Sequence, residues 1–241
     1  MRVILYCLLV LLGCSSTLHA TPLLWGYSPS DPPPYVALSG VDLQPSLTRE
    51  LGELVGEYLN RPVTFIALPN NRIDEALDSG RIHLICNTQP EWHSKPTQLY
   101  WSEVLYDDAD VVATAAGKPA PDSLSSLQGA LVGTTFGYHY SSALTAAFAQ
   151  GALTRHDVRD IQTRLKMLER GRLDASIDLR RALRHHLRIT PAAITVSDWE
   201  LERFYLRCAA PKRRPGSEQL INAIDQLLSN GQIQQLLQRY E

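Results

Sequence analysis

Two stretches of this 241-residue chain carry polar residues where an α/β sheet does its chemistry. Leu77-Asp78-Ser79-Gly80-Arg81-Ile82-His83-Leu84 and Leu168-Glu169-Arg170-Gly171-Arg172-Leu173-Asp174-Ala175 each read as a helix end, a glycine stop, an arginine and an apolar run of strand length. Glycine suits the position just past a helix because it takes the left-handed cap without a Cβ clash. The runs, 82–86 and 173–177, end at Asn87 and Asp178, which fall opposite each other when the glycines are overlaid. Ligands of open α/β sheets bind at the carboxyl ends of strands, so this pair is expected to offer polar contacts from two similar lobes. A third candidate is the loop Phe136-Gly137-Tyr138-His139-Tyr140, ahead of a helix whose free N–H groups would attract an anion. Plainer readings stand beside these: a common αβ turn used twice, a loop with exposed aromatics, and Asp178 paired with Arg180 or Arg181. Enzymatic patterns are weak. There is no Gly-x-Ser-x-Gly elbow and no glycine-rich phosphate loop with lysine, and His185 and His186, adjacent on a helix, point to different sides. No cofactor and no metal are expected.

The elements that hold these residues follow from periodicity. A strand at 23–27 leads into Ser28-Pro29-Ser30-Asp31-Pro32-Pro33-Pro34-Tyr35, a stiff loop because proline lacks an N–H and restricts its predecessor. Leu47, Leu51, Leu54, Val55 and Tyr58 keep helical spacing across 43–59, with Asp42 placed to cap and Pro45 tolerable in the first turn. A strand at 62–68, a short helix after Asn70 and the first Gly-Arg strand complete βαβαβ, an order that forces parallel strands. After an extended run at 110–113 and the linker 117–123, a second α/β series runs through a strand at 130–134 and helices at 141–149 and 161–169. It continues with the second Gly-Arg strand, a basic helix at 179–187 and a strand near 193–196. An apolar strand at 204–209 and an amphipathic helix at 217–240, broken at Gly231, end the chain. The first lobe has too little chain to cover its sheet, so this last part is expected to return to it. The expected division is 21–110 with 204–241 for lobe 1 and 111–203 for lobe 2.

A formal net charge of -2 argues against a nucleic-acid partner, which would need a basic stripe. Arg180, Arg181, Arg184 and Arg188, like Lys212, Arg213 and Arg214, read as solvated surface. Residues 1–20 read as a signal peptide, with Arg2 as n-region and a short apolar core at 3–12. Cleavage after Ala20 competes with a lipobox reading, Leu11-Leu12-Gly13-Cys14, that would leave Cys14 lipidated. Either way an exported protein is expected. Cys86 and Cys208, both in apparent strands, form either a disulfide or two buried thiols.

The order of motifs resembles the family-3 periplasmic solute-binding proteins, the amino-acid-type binding components of ABC importers. The resemblance rests on Asp31-Pro32-Pro33-Pro34-Tyr35, Leu68-Pro69-Asn70-Asn71-Arg72, Gly80-Arg81-Ile82-His83, Gln89-Pro90-Glu91-Trp92, Tyr100-Trp101-Ser102-Glu103-Val104-Leu105-Tyr106, Leu127-Gln128-Gly129-Ala130-Leu131-Val132-Gly133 and Gly171-Arg172-Leu173-Asp174-Ala175. It implies two α/β lobes joined by two crossover segments, with the ligand cleft between them. Two departures stand out. Where amino-acid binders carry an arginine for the ligand carboxylate this chain has Trp92, and where they carry an aspartate for the amine it has Leu179.

The resemblance and the residues together give a candidate site of Tyr27, Tyr35, Asn87, Thr88 and Trp92, with Arg72 as a replacement for the missing arginine. Lobe 2 would add Gly137, Tyr138, His139 and Asp178, with the 137–140 turn taking an anionic end as in related proteins. The expected protein is a periplasmic monomer that captures a small polar solute and presents it to an ABC permease, or to a membrane sensor. The alternative is an enzyme on the same fold, like the cyclohexadienyl dehydratases, with His139 and Asp178 as acid–base candidates.

Overall fold

The structure is a computed structural model that describes residues 21–138 and 140–240. The expected signal peptide, with both cleavage readings, and His139 lie outside the described residues. The chain enters through β1 (Leu23–Tyr27), and the proline loop then leads into a small hairpin, β2 (Leu38–Ser39) and β3 (Asp42–Leu43). Helix α1 (Leu47–Tyr58) follows, then β4 (Val63–Ala67), α2 (Ile73–Ser79) and β5 (Leu84–Thr88). The predicted cap at Asp42 is wrong: that residue pairs in the hairpin, and Ser46 takes the N-cap position. Pro45 therefore lies outside the helix. Leu47, Leu51 and Val55 are buried as their spacing requires.

Strand β6 (Leu99–Trp101) precedes the long β7 (Tyr106–Ala115). Next come β8 (Leu131–Thr135), α3 (Ser142–Ala149), β9 (Thr154–Val158), α4 (Ile161–Glu169), β10 (Ala175–Leu179) and α5 (Arg180–Ile189). Strand β11 (Ile194–Pro211) runs for 18 residues before α6 (Ser217–Ser229) and α7 (Gln232–Gln238). The two strands expected at 193–196 and 204–209 are thus one. The polar residues between them, Asp198 to Arg203, are accommodated by register shifts against β7 rather than by a loop.

Among the described residues the strands run β4-β1-β5-β11-β7-β10-β8-β9, with β6 added to β11. Strands β4, β1 and β5 are parallel, as are β10, β8 and β9. β11 is antiparallel to β7 over Ile194 to Leu206, and from Arg207 onward to β5 and β6. It therefore passes from one lobe into the other, and the stretch from β6 into β7 makes the second crossing. Each lobe has helices on both faces. In lobe 1, α1, α6 and α7 cover a core of Leu23, Trp25, Phe204 and Ile224, and α2 covers Ile82 and Ile85. In lobe 2, α4 and α5 pack over Ala109, Val111 and Leu173, and α3 over Val132 and Ile177. The return of the C-terminal helices to α1 supplies the cover that lobe 1 lacked.

Cys86 on β5 and Cys208 on β11 are joined by a disulfide across a sequence separation of 122. Closing so long a loop restricts the unfolded chain, so the Cys86→Ala/Cys208→Ala variant is expected to lose about 2–5 kcal/mol. Urea unfolding without reductant measures this, and an unchanged midpoint would contradict it.

Candidate functional site

A cavity of about 450 Å³ opens between the lobes. Lobe 1 lines it with the loop after β1 (Ser28, Asp31, Pro32, Tyr35), the end of β5 (Cys86, Asn87, Thr88), Asn70, Asn71 and Asp74 beside α2, and the turn from Glu91 to Ser94. Lobe 2 contributes Asp110 from β7, the turn Thr135 to Tyr138 with Tyr140, Arg164 from α4, and Ile177, Asp178 and Leu179 from β10. Of the residues expected from sequence, Tyr35, Asn87, Thr88, Trp92, Gly137, Tyr138 and Asp178 line this space.

Two do not. Tyr27 is 5% exposed and sits at i+2 from Trp25 and i+4 from Leu23, so strand alternation turns it toward the lobe interior with them. Arg72 stands on the surface, where its Nη1 meets Glu75 Oε2 at 2.7 Å. A nearby carboxylate on the same short helix answers its charge before any ligand does.

Asn87 adopts φ 55°, a left-handed conformation that asparagine tolerates better than most residues. Its amide donates to Thr48 Oγ1 at 2.9 Å, and its oxygen accepts the Tyr106 hydroxyl. Both ends of that side chain are held by lobe 1. Thr88 Oγ1 lies 2.8 Å from His93 Nε2, and His93 Nδ1 lies 2.6 Å from Asp74 Oδ1. Burial works against an ionised Asp74, but hydrogen bonds from the Ser94 hydroxyl and N–H and from His93 outweigh it and hold the carboxyl below its usual range. An ionised Asp74 only accepts, so the Nδ1 proton of His93 points to it. Trp92, 41% exposed, leans on Phe204 with ring centroids 5.3 Å apart and leaves the rest of its surface to the cavity.

In lobe 2, Arg164 and Asp178 form a buried ion pair, each side chain 3% exposed. Arg164 Nε donates to Ser176 Oγ at 3.1 Å, and Nη1 reaches the carbonyls of Thr134 and Val158 at 3.4 Å. Burial opposes its charge, yet Asp178 more than compensates and raises its pKa. Gly133 makes room for this arm: a Cβ there would come within 2.8 Å of Arg164 Cγ and 2.6 Å of Leu173 Cδ1. Asp178 is therefore tied to Arg164, not to Arg180 or Arg181, and Arg180 pairs instead with Glu200 at 2.6 Å.

The turn expected to receive an anion has its own partners. Thr135 N–H donates to the Tyr140 hydroxyl at 2.7 Å, Phe136 N–H to Val158 O at 3.2 Å and Tyr138 N–H to Thr135 O at 3.2 Å. The Ser141 side chain caps Leu144 N–H of α3. These bonds occupy three N–H groups of the turn and one in the first turn of α3. Tyr138 instead directs its hydroxyl at Asp110 Oδ1, 3.5 Å away. Asp110 is 2% exposed, and burial first, then the charges of Glu202, Asp178 and Asp108, push its pKa well above the usual carboxylate range. Burial also pushes Asp31 up to about 7. Among the described residues no cluster of metal-ligating side chains occurs, and no helix is long and apolar enough to cross a membrane.

No protein-family model and no curated protein matches the chain. Solved structures do match its fold over most of its length. An ancestral arginine-binding protein bound to arginine superposes with a TM-score of 0.74 at 17% identity, covering 92% of this chain and 99% of that one. The substrate-binding protein of an amino acid ABC transporter gives 0.70 at 15%, covering 91% and 99%. The fold is that of the periplasmic binding proteins. A histidine kinase sensor domain with similarity to periplasmic binding proteins also matches, with a TM-score of 0.74 at 15% identity over 92% of this chain and 96% of that one. In the binding-protein fold the cavity described above occupies the cleft between the lobes.

The residues missed from sequence are Asp31, Asp110, Arg164 and the pair behind Thr88. Arg164 had a readable signal, since it lies three residues from Ile161 and four from Leu168 on the buried face of α4. Asp110 had one too, as an acid inside the apolar run of β7.

Proposed function

We propose that the chain is an exported, divergent family-3 solute-binding protein that captures a small polar solute between its lobes and hands it to an ABC-type permease. The observation that carries this reading is a cavity whose walls come from both lobes of a binding-protein fold, with two strand crossings to bend about. A ligand that touches both walls favours the closed arrangement by its differential contacts, and that population shift is the signal a membrane partner reads. The sensor-domain neighbour supports the same capture step feeding a receptor instead of a permease.

A second, enzymatic reading has one observation in its favour, the hydroxyl–imidazole–carboxylate row of Thr88, His93 and Asp74. The acid–base candidates read from sequence do not serve it: Asp178 is tied to Arg164, and His139 lies outside the described residues. Thermal shift with a broad metabolite panel tests capture, since a ligand at 100 times its Kd adds about 2.7 kcal/mol of stability. No shift, together with no adduct in native mass spectrometry, would remove the support for capture. Chemical conversion of a bound compound, abolished in Thr88→Val, would favour the enzyme.

A further inference from the structure

Resting on the capture reading, we infer that the solute is an organic cation without a carboxylate, an amine or guanidine rather than an α-amino acid. Among the described residues the cavity is lined by carboxylates and by no free arginine or lysine; its side-chain donors, such as Asn70, Asn71 and Trp92, are neutral. All three nitrogens of Arg164 are engaged inside lobe 2, and the N–H groups of Thr135, Phe136 and Tyr138 are bonded to Tyr140, Val158 and Thr135. The Asn87 amide donates to Thr48, and the Thr88 hydroxyl lies 2.8 Å from His93 Nε2. A ligand carboxylate entering here would meet no free arginine or lysine among the described lining residues and would exchange its hydration for neutral donors only, which is costly for a charge.

The acceptors are the reverse case. Five acids line the cavity. Asp74 is bonded to His93 and Ser94, and Asp178 to Arg164 and Ser176. Asp31, Glu91 and Asp110 have no basic partner among the described residues. Asp110 is the decisive one. It is 2% exposed and lines the cavity, and among the described residues its one side-chain hydrogen bond is the Tyr138 hydroxyl at 3.5 Å. An isolated buried carboxylate is unfavourable until something positive arrives. Aromatic faces complete the box, Trp92 and Tyr35 from lobe 1 and Tyr138 and Tyr140 from lobe 2, the last two with ring centroids 4.8 Å apart. Such faces attract cations by their quadrupole. Asp31 and Asp110 lie in different lobes, so one ammonium or guanidinium seated between them would hold the lobes together.

Matched pairs of probes test this on the mature chain by calorimetry and thermal shift: agmatine against arginine, cadaverine against lysine, putrescine against ornithine and tyramine against tyrosine. In each pair the two compounds differ by the carboxylate alone. At least one amine is expected to bind, and to bind on the order of 100-fold more tightly than its amino acid, because the unpaired carboxylate is rejected. An amino acid that binds as well as or better than its amine would overturn the inference while leaving capture in place. Silence of every amine alongside a shift with neutral or anionic solutes would do the same. Silence of all compounds, including the broad panel, would count against capture itself.

Discussion

Asp110→Asn is expected to weaken binding of the best amine probe by at least about 30-fold, the cost of removing one partner from a buried charge pair. The same variant should be more stable than the parent when no ligand is present. In the free protein Asp110 is buried and faces Glu202 on β11, Asp178 on β10 and Asp108 on its own strand, with the Tyr138 hydroxyl as its single weak donor among the described residues. Asparagine keeps the shape and removes the charge that this setting disfavours. Lower affinity with higher apo stability is the signature of a group kept for binding and not for folding. A variant that loses stability and affinity together would show Asp110 to be structural.

The pH dependence follows the same logic at Asp31. Its pKa lies about 7 in the native protein against 3.8 as its ordinary value. Between those values the native state keeps a proton that the unfolded chain has released, so apo stability falls as pH rises through that window and levels off above it. Ligand affinity runs the other way, because a cation must displace that proton. Affinity for agmatine, whose guanidinium stays charged, should therefore climb by up to about tenfold per pH unit toward pH 7 and flatten beyond. A flat profile from pH 5 to 8 would exclude Asp31 from the contact.

Arg164→Met is the second large effect, with an expected loss of about 3–5 kcal/mol because Asp178 is left buried and unpaired. The Asp178→Ala substitution acts on the same pair. That substitution strands the Arg164 guanidinium beneath β8 and should cost a similar amount. Replacing both, Arg164→Met with Asp178→Leu, should recover most of the loss, since a buried pair exchanged for packed apolar groups is often neutral. Urea unfolding of the two single variants and the double one measures the coupling. Additive losses would mean that the pair does not act as a unit.

The two-lobe plan was readable because it rests on local signals. Gly80 and Gly171 do take positive φ after their helices, and α4 spans the predicted 161–169. What the pattern hid was long-range pairing. No periodicity announces that Arg164 passes under Gly133 to reach Asp178, or that Thr88 meets a histidine five residues on and, through it, an aspartate from α2. Asp178 looked available for a ligand because Arg164 comes from a preceding helix, and the 137–140 turn because a sequence pattern does not show which of its N–H groups bond back to Thr135, Tyr140 or Val158. Arg72 failed for the opposite reason: its partner, Glu75, was close enough to be suspected, and it did take the charge. The continuity of β11 was hidden by polar residues, which a strand edge tolerates when they face solvent or a neighbour's charge, as Arg203 does with Asp107 and Glu200.

The bond between Cys86 and Cys208 encloses β7 to β10 and α3 to α5, and so makes a covalent ring of lobe 2. A protease that nicks the backbone once within that ring, for instance in the exposed 117–120 stretch, leaves both pieces attached. On a gel run without reductant the cut protein keeps its full mass, and only reduction separates the fragments. A chain built this way can survive a surface cut with both walls of its cleft still in one molecule.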